Sequence, residues 1–194
     1  MIKEIVLASK NQGKLKELRE MVSDSKIKIL SLDDFPEIPE IIEDGKTFKE
    51  NAFKKASQVA NYTDKIALSD DSGLEVFALG GSPGVESARF AKNDQERIEK
   101  LLKIMEGEKD RRAKFCCVIA VAKPKGEVKA VEGEIKGFIS ERPQGFYGFG
   151  YDPIFIPDGY YQTFAEMTAK EKNKISHRAK ALAKAKEVLR EMQR

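Results

Sequence analysis

The sequence predicts a mixed α/β fold, on two observations: strand and helix patterns alternate through the first 105 residues, and strand-like runs with tight-turn signals then follow one another from Ala113. A closing amphipathic helix completes the order. Alternation implies strand–helix units, whereas consecutive strands imply an antiparallel section, so a pure doubly wound sheet is not expected. At 194 residues and 41% hydrophobic the chain can build one sizeable core, or two lobes sharing a sheet. One domain over residues 1–194 is expected.

Ile2 to Ala8 has the length and apolar content of a buried strand, and Ser9-Lys10-Asn11-Gln12-Gly13 breaks it. Helical spacing resumes from Lys14 to Val22 through Leu15, Leu18 and Val22. Ile27 to Leu30 is a second strand, and a Pro-punctuated loop at Phe35-Pro36-Glu37-Ile38-Pro39 leads to Glu43-Asp44-Gly45. A helix is expected from Thr47 to Tyr62, with Phe48, Ala52, Ala56, Val59 and Ala60 on its apolar face. The strand Ile66-Ala67-Leu68-Ser69 then ends at Asp70-Asp71-Ser72-Gly73, and Leu74 to Phe77 precedes a glycine-rich loop, Gly80 to Gly84.

Asp94 to Met105 is helical, with Ile98, Leu101, Leu102 and Met105 inward. Ala113–Ala122, Val128–Glu132 and Ile135–Ser140 read as a meander broken at Pro124-Lys125-Gly126 and at Gly133. After glycine-rich residues 145–150 come a short strand, Ile154 to Ile156, and a helix from Ser176 to Met192 with Ala179, Leu182, Ala183, Val188 and Leu189 as its stripe. Polar and glycine clusters fall at strand ends, where α/β folds place ligands, so a cleft is expected there.

No apolar run approaches the roughly 18 residues that suggest a membrane span, and no basic-then-apolar leader follows Met1. Cys116 and Cys117 are adjacent in a strand-like run, where side chains alternate and a mutual disulfide would be strained. Reduced thiols and a cytoplasmic location are the expectation. With 35 basic against 32 acidic residues the net charge of +3 argues against a polyanion-coating surface, hence against nucleic acid as partner, while allowing a local phosphate pocket.

Asp70 and Asp71 are neighbours at the expected end of an apolar strand. Pleating sends their carboxylates to different sides, and each is costly to desolvate without a cation. Mg²⁺ suits such a place, because it takes one or two carboxylates, keeps waters and shares substrate phosphate oxygens. Glu43 and Asp44 are further oxygen donors. The alternative is a polar turn whose Asp and Ser side chains bond their own backbone.

Ser9 to Lys14 joins a strand to a helix, offering helix N-terminal N–H groups and the ammonium groups of Lys10 and Lys14 to a phosphate. It is not a Walker A loop, which needs Gly in place of Ala8 and Ser or Thr in place of Leu15. The alternative is a capped helix and a solvated turn. Gly145 to Pro153 precedes a strand, so it is no dinucleotide fingerprint; its aromatics Phe149 and Tyr151 either stack on a base or fill a core. His177, the only histidine, lies beside Arg178 and downstream of Lys172, in what reads either as a donor-rich patch or as a structural cap.

The order of these motifs is more specific than any one of them. Ser9-Lys10-Asn11-x-x-Lys14 precedes Glu43-Asp44-Gly45-x-Thr47-Phe48-x-Glu50-Asn51-Ala52 and Ser69-Asp70-Asp71-Ser72-Gly73-Leu74. Gly80-Gly81-x-Pro83-Gly84-Val85-x-Ser87-Ala88-Arg89, Phe149-Gly150-Tyr151-Asp152-Pro153 and Ile175-Ser176-His177-Arg178 follow. This set resembles the inosine triphosphate pyrophosphatase family, which acts on non-canonical purine nucleoside triphosphates, over essentially the full chain. Ser9-Lys10 and Phe146-Tyr147 depart from the residues most frequent at those places.

The resemblance implies a long, bent mixed sheet flanked by helices, two lobes with a central nucleotide cleft, and a homodimer. It implies Mg²⁺-dependent hydrolysis of ITP, dITP and XTP to the monophosphate and pyrophosphate, cleansing the nucleotide pool. Ser9, Lys10, Asn11, Gln12, Gly13 and Lys14 would hold the triphosphate. Glu43 and Asp71 would hold the metal, with Asp71 also the proton acceptor and Ser72 a substrate contact. Phe149, Gly150, Tyr151, Asp152, Lys172, His177 and Arg178 would form the base and sugar end, His177 and Arg178 donating to a 6-keto purine. A single-stranded RNA-binding module would leave the acidic set unexplained. A pyrophosphatase for pyrimidine nucleotides is the nearer rival.

Overall fold

The computed structural model describes residues 3–23 and 27–192. Six strands form one sheet in the order β2-β1-β3-β4-β5-β6. They are β1 (Lys3–Leu7), β2 (Ile27–Leu30), β3 (Ala67–Val76), β4 (Arg112–Ala122), β5 (Val128–Ile139) and β6 (Phe155–Pro157). The helices are α1 (Gln12–Val22), α2 (Phe48–Thr63), α3 (Asp94–Ile104), α4 (Ala169–Ile175) and α5 (His177–Glu191). β1 pairs in parallel with β2 and β3, while β5 and β6 are antiparallel, so the sheet is mixed as the pattern predicts. Lys123 N donating to Glu127 O and Ile139 N to Arg111 O bracket an antiparallel β4–β5 hairpin. The first strand was expected from Ile2, which lies outside the described residues.

Two expectations are corrected. The acidic pair does not end a strand: β3 runs unbroken through Asp70-Asp71-Ser72-Gly73 to Val76. Its charges are tolerated inside the strand because cations from other elements meet them there. The meander has two long strands rather than three, since Gly133 continues β5 on its buried side in step with Ile135, Gly137 and Ile139. Gly137 is needed for close approach, because a Cβ there would stand 2.2 Å from the Ile156 carbonyl oxygen on β6.

The chain divides into two compact units. The first holds the described residues up to Asp71, Cys117–Gly133 and those from Arg178 onward; the second holds Ser72–Cys116 and Glu134–His177. The chain passes between them within β3, β4 and β5, so neither unit is one contiguous segment. The first core joins Ile5 and Leu7 to Leu15, Leu18 and Val22 of α1, Ile119 and Val121 of β4, and Leu182 and Leu189 of α5. The α5 stripe runs through Ala181, Leu182, Ala185 and Leu189, continues to Met192 just past the helix, and leaves the expected Ala183 exposed. The second core centres on Phe115, whose ring lies 4.6 Å from Phe155 and 6.0 Å from Phe164. Among the described residues no helix is long and apolar enough to cross a membrane.

Candidate active site

In the first unit, Asn11 begins α1: its side-chain oxygen accepts the Lys14 N–H at 3.1 Å. The helix therefore starts at Gln12, earlier than the spacing suggests, and Lys10, Asn11 and Gln12 stand exposed at its N-terminus. Ser9 accepts from Asn11 N at 3.2 Å, tightening the turn. Gly13 and Lys14 are half-buried, and the Lys14 ammonium reaches inward to Asp70 Oδ1 at 2.7 Å.

The next element is built by α2. Thr47 and Glu50 form a reciprocal capping box, each side chain accepting from the other's backbone N–H. Asn51 accepts the Gly45 N–H at 2.8 Å, and a Cβ on Gly45 would lie 2.7 Å from that same Asn51 oxygen. The Gly45 to Asn51 run thus fixes the loop carrying Glu43. One turn after Asn51, Lys55 is buried, 6% exposed, and its ammonium lies 3.2 Å from Glu43 Oε2 and 3.0 Å from Asp71 Oδ1. Asp44 turns away to an exposed pair with Lys54 at 2.7 Å, so it does not join this group.

The adjacent aspartates have different surroundings, as the pleat requires. Asp70 is fully buried; its carboxylate meets Lys14, the Arg178 Nε at 2.7 Å and the Cys117 thiol, which donates at 3.2 Å. Burial pushes the Asp70 carboxyl up, but the Arg178 and Lys14 cations outweigh it and hold the group well below the usual carboxylate range. Arg178 also pairs with Glu17 of α1. For Asp71, burial dominates and raises the carboxyl above its usual value, against the pull of Lys55 and Lys14. Burial pulls Lys55 down, and Asp71 and Glu43 more than offset it, so the ammonium stays charged. Asp71 Oδ2 is buried with no hydrogen-bond partner among the described residues.

This donor set suits a hard divalent cation: two carboxylates, one with an unengaged oxygen, leave the remaining positions to water and phosphate oxygens. Among the described residues no three His, Cys, Asp or Glu side chains are gathered for a metal, which argues against an all-protein cage such as structural zinc. The thiols are free, Cys117 in the core with its pKa driven up by burial, and Cys116 pushed up to about 12 by burial and Glu75.

In the second unit, Asp152 is the fixed point. Its carboxylate accepts the Phe149 N–H at 2.9 Å and the Lys172 ammonium at 2.5 Å, and Lys172 lies 5.1 Å from the centre of the Phe149 ring. Gly148, at φ +76°, makes room, because a Cβ there would stand 2.0 Å from Asp152 Oδ2. Gly150 donates to Asp94 at 2.7 Å. Tyr151 is buried in the core with its hydroxyl donating to the Ser87 carbonyl at 3.0 Å, so its ring is not the open stacking surface expected of it. Phe149 is half-buried, and Ser72, on β3, is half-buried as well. His177 is 3% exposed and stacks on Phe115 at 4.7 Å.

The cations of the donor-rich patch read at Lys172, His177 and Arg178 each have a carboxylate partner. Arg178 is paired with Asp70 and Glu17 and Lys172 with Asp152, so both cations are already engaged. The structure gathers Lys14, Glu43 and Asp71 around Asp70 and Lys55 in the first unit, and Phe149, Asp152 and Lys172 in the second, where His177 stacks on Phe115. Lys55 and Glu17 were not foreseen.

A family model described as the Ham1 family matches residues 5–188, nearly the whole of this arrangement. The chain belongs to the Ham1 family. A dITP/XTP pyrophosphatase of Shouchella clausii is 51% identical over 191 residues, covering 96% of each chain. A Ham1 protein structure from Staphylococcus aureus superposes with a TM-score of 0.86 at 40% identity, over 98% of this chain and 100% of that one. One from Coxiella burnetii gives 0.87 at 44% identity, over 97% and 99%. The mixed sheet is thus the Ham1 fold, and the resemblance drawn from the ordered motifs is borne out.

Proposed function

We propose that this chain is a hydrolase that splits dITP, XTP and ITP to the monophosphate and pyrophosphate with Mg²⁺, removing non-canonical purines from the nucleotide pool. The observation that carries the reading is the Glu43, Lys55 and Asp71 group in a chain 51% identical to a dITP/XTP pyrophosphatase. Glu43 and Asp71 hold the cation, whose chemistry is to neutralise charge on the triphosphate and the leaving pyrophosphate. The α1 N-terminus, from Ser9 to Gly13, and the Lys14 ammonium bind phosphate oxygens. Asp71, made more basic by burial, orients the attacking water and takes its proton.

Ser72 contacts substrate beside Asp71, and Phe149, Gly150, Tyr151, Asp152, Lys172, His177 and Arg178 recognise base and sugar. Tyr151 serves through its backbone, since its ring and hydroxyl are committed to the core. The protein works as one domain, as a homodimer in the cytoplasm; two adjacent strand cysteines left unbridged are in keeping with a reducing compartment.

Pyrophosphate release measured across ITP, dITP, XTP, GTP, ATP and dTTP, with Mg²⁺ or with chelator, tests the reading. Turnover is expected with the hypoxanthine and xanthine nucleotides in Mg²⁺ and should vanish on chelation. Equal turnover of all six, or full activity in chelator, would overturn it.

A further inference from the structure

Lys55 is the anomaly of α2. It occupies the helix face that also carries Ala52, Ala56, Val59 and Ala60, all fully buried, yet it bears a charge. A buried ammonium is retained only where acceptors replace its water. The Lys55 ammonium donates to Asp71 Oδ1 at 3.0 Å and to the Asp70 carbonyl at 3.2 Å, and it forms an ion pair with Glu43 Oε2 at 3.2 Å. Two of these oxygens belong to the carboxylates proposed above as metal ligands.

We propose that Lys55 is the resident counter-ion of the Glu43 and Asp71 pair, and that a divalent cation binds by displacing its ammonium. The inference rests on the metal-site reading and adds an exchange to it. Without a cation, two carboxylates in a poorly solvated place repel each other, and the lysine relieves this. Mg²⁺ draws oxygens to about 2.0–2.1 Å, much closer than an ammonium stands, and a second positive charge in contact with the same oxygens opposes it. The ammonium leaves Glu43 and Asp71 when the cation arrives. Asp71 Oδ2, buried and unengaged, is the oxygen from which the exchange begins. The Asp70 carbonyl keeps a second donor at 3.2 Å in Lys14, so its acceptor is not stranded. Lys55 thus lowers the affinity for free metal while keeping the metal-free protein folded.

The probe is Mn²⁺ or Mg²⁺ alone, without nucleotide, titrated calorimetrically into the full chain and into Lys55→Met, Lys55→Gln and Asp71→Asn. Lys55→Met and Lys55→Gln are expected to bind the ion at least tenfold more tightly than wild type. In chelator they should melt at lower temperature than wild type, and saturating Mg²⁺ should raise their melting temperature by more. Equal or weaker binding in whichever of the two variants folds would overturn the proposal. Asp71→Asn separates the two readings: unchanged affinity there means the metal lies elsewhere and the site assignment itself has failed. A measurement on wild type needs no altered fold. The ¹⁵Nζ resonance of Lys55, assigned with Lys55→Arg, should move to a solvent-exposed position as Mg²⁺ is added, and a resonance that stays put at saturation would overturn the exchange.

Discussion

Replacing Asp70 by Asn should unfold much of the protein's margin of stability without touching the residue proposed to activate water. Asn keeps the volume and one acceptor oxygen but loses the charge that faces Lys14 at 2.7 Å and Arg178 at 2.7 Å. Glu17 remains to balance one cation, so the buried group is left with one uncompensated positive charge. Removing one partner of a buried pair costs roughly 3–5 kcal/mol, a large share of the ~5–15 kcal/mol that holds a domain folded. With a urea dependence of about 2–3 kcal/mol per molar, the midpoint should fall by roughly 1–2 M.

The pH dependence of that loss has a defined sign. The folded Asp70 carboxyl lies well below its unfolded value of about 3.9. Its stabilisation is therefore complete above about pH 4 and is lost as pH falls through the lower folded value. The gap between wild type and Asp70→Asn in urea unfolding should be constant from about pH 8 to pH 5 and narrow below about pH 4. A variant within ~1 kcal/mol of wild type, or a gap unaffected by acid, would refute the assignment of Asp70 as the fixed anion of this cluster.

Asp71→Asn should lower kcat by about 10²-fold or more and cost less than half the stability lost in Asp70→Asn, because Lys55 keeps Glu43 as a partner; near-normal turnover would remove Asp71 from the chemistry. Gly148→Ala should raise KM for the nucleotide severalfold, since the new Cβ meets Asp152 Oδ2 at 2.0 Å and displaces it from Lys172 and the Phe149 N–H. Gly159→Ala is its control, with similar backbone strain at φ +82° and nothing within 4 Å of the added carbon. Both should lose about 1–3 kcal/mol of stability from the left-handed backbone, and an equal KM in the two would sink the proposed role of the Gly148 approach.

Much of the fold was legible because it is local. Thr47 caps α2 through a contact three residues away, and that helix begins where the sequence places it; the same local signal at Asn11 starts α1 ahead of its apolar spacing. The misread segments depend on distant partners. The acidic run looked like the end of a strand because charges resist burial, but Lys14 and Arg178 reach Asp70 from 56 and 108 residues away. Gly133 looked like a break, yet the alternation of exposed and buried residues passes straight through it. Helix α4 was missed although Thr168 and Glu171 spell a capping box in the sequence. Lys55 carried a signal too: it lies three residues after Ala52 and four before Val59, on the apolar face of its helix, which implies a buried partner, whereas Glu17 has no such apolar neighbours at helical spacing on both sides.

The two adjacent aspartates show why the pair is not redundant. A strand turns successive side chains to opposite faces, so neighbours in sequence can live in different electrostatic surroundings. Asp70 faces cations drawn from α1 and α5 and becomes a permanent anion, too weak a base to take a proton from water at neutral pH. Asp71 faces one shared lysine and another carboxylate, with one oxygen unengaged, and burial makes it the more basic of the two. Exchanging their roles would require exchanging the faces of β3, which a one-residue register shift would do only by moving every side chain of a strand buried on both faces into the other face's packing. The backbone between the two is held as well, whatever the side chain of residue 70: Lys14 and Lys55 each donate to the Asp70 carbonyl at 3.2 Å, immediately before Asp71.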